Sequence, residues 1–317
     1  MKAMRFFSPA RYGLVLSCFL LSGISLPAEK ESGIALESVL KEAQERSRRE
    51  ALLAIERDLR AIYASLAEPG IPDLERSRRL APIAARYENH LKRYPDDAEA
   101  FVLYAKFLRD GGDDAGATDY FEKARKLQPD WAVVHQQLAA IAAEQGDGVK
   151  AFPLMKRAAE LEPGQAVYQQ QLGELATVFR DALLKNGTFE TREAADTAMQ
   201  NAFRAARALA PRSPEAAVRY AESFYDVENP DWQAALEAWN VARRTLTEAL
   251  QDNAETAEST LMRETLELHR ARAYAELGNC DASEKILGGI TDERLAYSCA
   301  RIRKIIIEKR KLSTNKE

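Results

Sequence analysis

Three prolines at one interval, Pro95, Pro129 and Pro163, each 34 residues after the last, constrain this chain more than any other feature. The residues between them recur with the same period. Phe101, Tyr104, Ala105 and Leu108 open one unit, and Ala117, Phe121, Ala124 and Pro129 close it. The next unit holds His135, Leu138, Ala139 and Ala142, then Ala151, Met155, Ala158 and Pro163, at the matching places. Gly112 and Gly146 fall midway, where a residue free to take a positive φ can end one helix and let the next begin. Apolar residues three and four apart on either side of each glycine predict two helices per unit. The small residues let helix axes approach, Phe121 and Leu108 fill the space between them, and the proline stops the second helix. A helix pair of this size cannot bury its apolar stripe alone, so successive units must stack.

These residues resemble the tetratricopeptide repeat, whose pattern W-x2-L-G-x2-Y, then A-x3-F, then P, recurs every 34 residues. The resemblance runs over roughly residues 75 to 290 and is strongest over 97–163. It implies an all-α fold, a right-handed α-α superhelix with capping helices at its N- and C-terminal ends, and no cofactor or metal. Leu172, Gly173 and Ala176 begin a third unit in phase, but Pro211 comes 48 residues after Pro163, so 14 extra residues enter near Asp181 to Arg192. Such an insertion lengthens the helices or forms a surface loop, and surface loops often carry function. Met199, Phe203 and Ala206 resume the pattern; Tyr220, Ala221, Phe224, Ala235, Trp239 and Ala242 mark a fourth unit, and Tyr274, Gly278, Ser283 and Leu287 a last one.

The flanks divide accordingly. Residues 1–28 have a basic start (Lys2, Arg5, Arg11), an apolar run from Tyr12 to Leu26 and then Pro27-Ala28, the layout of a secretory signal. The expectation is export, to a periplasmic or extracellular place, with an uncleaved anchor or lipidation at Cys18 as the alternatives. Residues 29–72 form a long helix and a linker, 73–96 a degenerate repeat helix, 97–290 the array, and 291–317 a capping helix with a basic tail. Leu52, Ile55, Leu59, Ile62 and Leu66 make one apolar seam. It suits a helix folded onto the first repeat, or a homo-oligomer that light scattering on the mature chain would test. After cleavage Cys280 and Cys299 remain. If the last two helices form a hairpin about Gly288-Gly289 the two could face one another, so a disulfide is expected, with two buried thiols as the alternative.

No enzyme constellation is legible. His90, His135 and His269 lie far apart, and no nucleotide-binding, nucleophile-elbow or zinc-ligand pattern occurs. The net charge of −4, with both signs interspersed, does not point to nucleic acid. The basic stretch Arg301 to Lys311 reads as the solvated face of a last helix.

The family resemblance implies a scaffold that binds a protein or peptide in a concave groove lined by first helices. By position, that groove would be lined by Glu99, Val102, Lys106 and Arg109, then Val133, Gln136, Ala140 and Ala143. Val167, Gln170 and Glu174 would follow, then Glu215, Val218, Glu222 and Tyr225. Members that clamp a C-terminal carboxylate place Lys and Asn at such positions; Lys106 and Arg109 have no Asn beside them. An extended or helical segment is expected instead, with Gln136 and Gln170 bonding its backbone. The other function class is an accessory protein for carbohydrate or polymer processing, which would present exposed Trp or Tyr.

Overall fold

The computed structural model describes residues 28–67, 70–251 and 256–314, with side chains described from 37 to 312. The signal segment therefore lies outside the described residues, as do 252–255 of the acidic connection. Every regular element among the described residues is helical. The chain divides at Ile71–Pro72. The first unit contains α1 (Ala28–Leu66), one uninterrupted helix that carries the Leu52–Leu66 seam along one face.

The second unit is a succession of antiparallel pairs. α2 (Asp73–Arg93) precedes α3 (Ala98–Asp110) with α4 (Asp114–Leu127), and α5 (Ala132–Glu144) with α6 (Gly148–Leu161). The third pair is α7 (Ala166–Val178) with α9 (Arg192–Leu209), separated by the short α8 (Arg180–Lys185). α10 (Pro214–Glu222), extended by a 3-10 turn, pairs with α11 (Trp232–Ala249); α12 (Ala257–Glu276) pairs with α13 (Cys280–Leu287), and α14 (Ala296–Thr314) packs on both. Each second helix touches the first helix of the next pair, the connectivity of a solenoid.

The turns repeat one device. Gly112 has φ +82°, and Gly146 and Gly278 have φ +80°, a region in which a side chain is strained. The residue after each glycine bonds back to the finished helix: Asp113 N–H to Leu108 O at 2.9 Å, Asp147 to Ala142 at 2.8 Å, Asn279 to Tyr274 at 2.9 Å. The same residue's side chain then accepts an N–H of the next helix, from Gly116, Lys150 and Ala282. One residue thus closes one helix and caps another. Between the turns, Ala105, Ala117, Phe121, Ala124, Ala151 and Ala158 are wholly buried, with Phe101, Leu138 and Met155 nearly so, as the repeat predicts. Pro129 and Pro163 sit exposed in the turns between pairs.

The insertion is where expectation and structure part. Of the 14 extra residues, ten lie between α7 and α9 and four lengthen α9. They do not form a free surface loop. Leu183 of α8 is fully buried in a cluster with Phe152, Met155, Met199 and Phe203, and Phe179 and Phe189 pack against that cluster. Phe189 meets Phe152 edge-on at 5.3 Å. α6 accommodates this by starting with Gly148, where a Cβ would fall 2.0 Å from the Phe179 ring. Arg180 and Asp196, both largely buried, lie 2.9 Å apart and bind the insertion to α9.

The cysteines are not joined. Cys280 and Cys299 are buried free thiols in one cluster with Ile302 and Ile306. The connection spans more than Gly288-Gly289, running through a 3-10 turn at Glu293–Leu295, so α13 and α14 pair in a different register. The Cys280 thiol is directed at Ile306 O, 3.8 Å away. That carbonyl lies about two turns, ~10 Å, along α14 from Cys299, beyond the ~7 Å reach of a disulfide's Cα atoms.

Candidate functional site

The first helices carry most of the predicted groove residues, and the structure shows what each does. Val102 is a core residue, 3% exposed, and is not available to a ligand. Lys106 and Gln170 are half-buried and make no side-chain hydrogen bond among the described residues. Arg109 donates to Gln137 Oε1 at 2.8 Å and is ion-paired with Glu144. Gln137 donates to Gln136 Oε1 at 2.8 Å, and Gln136 donates to Gln171 Oε1 at 3.1 Å. A hydrogen-bonded ladder therefore runs from α3 across α5 to α7. Gln136 is in it as a rung between helices, and Gln171 takes the place expected of Gln170.

Glu174 continues the face. Arg219 of α10 grips its carboxylate with two nitrogens, at 2.7 and 3.2 Å, and reaches Asp226 at 3.2 Å. The guanidinium lies 4.1 Å over the Phe203 ring. Burial pulls the Arg219 pKa down, but hydrogen bonds and charge from Glu174 and Asp226 outweigh it and hold the group above its ordinary value. Glu222 is raised above the usual carboxylate range by burial, with Arg219 opposing and Asp226 and Glu174 reinforcing.

Tyr225 does not project from the surface. It stacks at 5.8 Å on Trp239 and lies beneath Arg272, whose guanidinium is 4.4 Å from its ring centre. Its hydroxyl is 3.1 Å from His269 Nδ1, an arrangement that a neutral imidazole meets by accepting the phenol proton. His269 is parallel to Trp239 at 4.2 Å, and burial, helped by the Arg272 charge, lowers its pKa to about 4. Burial raises the Tyr225 pKa, with Arg272 opposing. Both groups are thus neutral near pH 7.

Sequence reasoning missed Gln137, Gln171, Arg219, Asp226, His269 and Arg272 as members of this surface. A signal existed for two of the contacts. Arg109–Glu144 and Gln136–Gln171 each join residues 35 apart, one period plus one, so polar residues at that offset mark the rungs. The insertion breaks this offset for Glu174 and Arg219, which are 45 apart. The remaining histidines serve packing: His90 bonds the buried Asp97 at 2.8 Å and His135 the Pro129 carbonyl at 2.7 Å. Among the described residues no group of His, Cys, Asp and Glu could hold a metal, and no helix is long and apolar enough to cross a membrane.

No protein-family model matches the chain. No curated protein matches its sequence. Solved structures do match in fold. The Naa15/Naa10 complex bound to HypK-THB aligns with TM-score 0.50 at 15% identity, over 84% of this chain and 34% of that one. YrrB, described as a TPR protein with an unusual peptide-binding site, gives 0.48 at 14% identity, over 72% and 99%. MamA gives 0.46 at 14% identity, over 58% and 93%. Identities this low speak for architecture alone. The in-phase units and their helical hairpins are what give this chain the fold of a tetratricopeptide-repeat array.

Proposed function

We propose that the chain is a non-enzymatic scaffold that binds an extended segment of a partner protein along the first-helix face of α3, α5, α7 and α10. The observation that carries this reading is the row of half-buried donors and acceptors on that face, from Arg109 through Gln137, Gln136 and Gln171 to Glu174 and Arg219. A peptide backbone needs alternating donors and acceptors, and amide side chains offer both. Lys106 and Gln170 stand beside this row as uncommitted contacts. The setting we infer is an exported one, periplasmic or envelope-associated, on the strength of the basic and apolar start of the chain. Self-association through the Leu52–Leu66 seam gains no support, because Leu52, Ile55, Leu59 and Leu66 are buried. The carbohydrate reading gains no support here. A sugar cleft presents open aromatic faces, whereas Trp239 is fully buried and Tyr225 and Trp232 lie under Arg272.

The test is site-specific photocrosslinking in the exporting cell, with the crosslinker at Lys106, at Gln170, or at the exposed Lys126 on the second helix α4. The reading expects one common adduct from the first two positions and none from the third. An adduct shared by all three, or found at Lys126 alone, refutes it.

A further inference from the structure

Beyond the α3–α10 face, the second unit has a cleft of about 370 Å³ between α12 and α14, lined by Leu268, His269, Arg272, Tyr297, Arg301 and Lys304 among others. Its α14 wall follows helical spacing. Tyr297, Arg301, Lys304, Ile305 and Glu308 are four, three, one and three residues apart, so they share one side of the helix. Two kinds of surface alternate there. Leu268, Ile302 and Ile305 form an apolar floor, and Tyr297 stands at the rim with 75% of its surface exposed. Arg272, Arg301 and Lys304 supply three positive charges against the single carboxylate of Glu308.

The cations of the cleft differ from their neighbours. On the same helix, Lys309 is paired with Glu276 at 3.4 Å, and Arg310 with Asp281 at 2.9 Å and Glu284 at 3.1 Å. Among the described residues Arg272, Arg301 and Lys304 have no ion-pair partner. Arg272 is moreover fixed in place: its guanidinium lies over the rings of Tyr225 at 4.4 Å and Trp232 at 5.5 Å, and its buried Nε has no hydrogen-bond partner. Beside it His269, neutral near pH 7, adds no charge. A fixed and underused guanidinium in one cleft with two exposed cations and an apolar floor suits a ligand that brings carboxylates on either side of an apolar side chain.

We propose that the α12–α14 cleft binds an acidic, apolar-anchored segment of another protein, with carboxylates on Arg272, Arg301 and Lys304 and the anchor on Leu268, Ile305 and Tyr297. Charge complementarity argues for the acidic partner, and the apolar floor argues for a peptide over a bare anion. The site adjoins the α3–α10 face where Arg272 lies over Tyr225, but it is built on α12 and α14 and stands whether or not that face binds.

The experiment is fluorescence anisotropy on the full chain with a labelled peptide of alternating glutamate and leucine, and the same peptide with glutamine for glutamate. Four variants are compared: R301E/K304E in the cleft, R303E as a single charge reversal on α14 outside it, R109A/Q136A on the other face, and Y297A at the rim. All the reversed residues are exposed, so folding is retained, and circular dichroism checks it. The expected result is saturable, salt-sensitive binding of the glutamate peptide, weakened at least tenfold by R301E/K304E and by glutamine, and less than threefold by R303E or R109A/Q136A. Tyr297→Ala should weaken it severalfold without changing the salt dependence. No binding of the glutamate peptide overturns the proposal. So does equal weakening by R303E, or equal binding of the glutamine peptide. Displacement by millimolar inorganic phosphate as readily as by unlabelled peptide would show a simple anion site. Binding to phosphatidylglycerol vesicles lost in R301E/K304E, without peptide binding, would show a lipid surface instead. Both outcomes overturn it. Loss of binding in R109A/Q136A alone would place the peptide on the α3–α10 face, and would overturn this inference while supporting the other.

Discussion

If the insertion belongs to the core, truncating its one wholly buried leucine must be costly. Leu183 has no exposed surface, and it sits in a cluster with Phe152, Met155 and Met199, with Phe179 and Phe189 packed beside it. Removing a buried leucine to alanine costs about 2–5 kcal/mol, from lost transfer energy and from the cavity left behind. Phe152 on α6 and Phe203 on α9 are anchored in helices and cannot easily close the gap, so Leu183→Ala should cost about 3 kcal/mol. The matched control is Leu209→Ala at the end of α9. That side chain is 41% exposed, and its loss should cost less than about 1 kcal/mol. Urea unfolding followed by circular dichroism gives both values. Arrays can unfold in stages, so hydrogen exchange of the α8 and α9 amides should accompany it and should accelerate in L183A. If L183A costs no more than L209A, and α8 exchanges at the same rate in wild type and variant, the insertion is a surface loop and the packing argument is wrong.

Other predictions follow the same logic. Gly148→Ala places a methyl carbon about 2.0 Å from the Phe179 ring and should destabilise the chain by about 1–3 kcal/mol, measured by the same unfolding; a neutral effect would mean that Phe179 does not pack there. His269, held near pKa 4 against an ordinary value of about 6.5, binds a proton more readily when unfolded. Stability should therefore fall as pH drops from about 6.5 to 4, by about 3 kcal/mol from this residue, and His269→Gln should flatten that part of the profile. An unchanged profile would contradict the burial of the imidazole. His90→Ala removes one hydrogen-bond partner of the buried Asp97 carboxylate, which still caps α3 through Ala100 N–H, and should cost about 2 kcal/mol, while His90→Gln, which keeps a donor, should cost less. Peptide mapping of the chain after exposure to an oxidant should find Cys280 and Cys299 as separate thiols; a linked pair would refute the helix register described for α13 and α14.

The two clear units could be read from sequence because each position there has one physical duty. Phe121 can only be core, and Gly112 followed by Asp113 can only be a turn that also caps. Helix α2 was legible within the 73–96 segment for a similar reason, since Pro72 and the Tyr94-Pro95 pair bound it. Period alone could not say where the insertion goes. That depends on Phe179, Leu183 and Phe189 finding the space left by Gly148, a contact between units rather than within one. The surface was harder still. Position in the repeat placed Val102 and Tyr225 on the groove, although neighbours bury the first and Trp239, His269 and Arg272 pack around the second. Cys280 and Cys299 were misjudged because equal distance from a bend fixes a pairing only if the bend is tight, and here a 3-10 turn intervenes.

The two bonded rows on the first-helix face, Arg109 to Gln171 and Glu174 to Arg219, have a consequence for the timing of any encounter there. Their amide and guanidinium groups already hold one another, so an arriving chain gains no idle donors and must trade one set of bonds for another of similar worth. Association on such terms is an exchange that can proceed rung by rung. Each step is small and reversible, and a mismatched segment is returned to solvent before the next rung opens. Discrimination would then reside in how many successive rungs a sequence can replace, so that residence time, rather than strength at any single contact, separates the right segment from the wrong one.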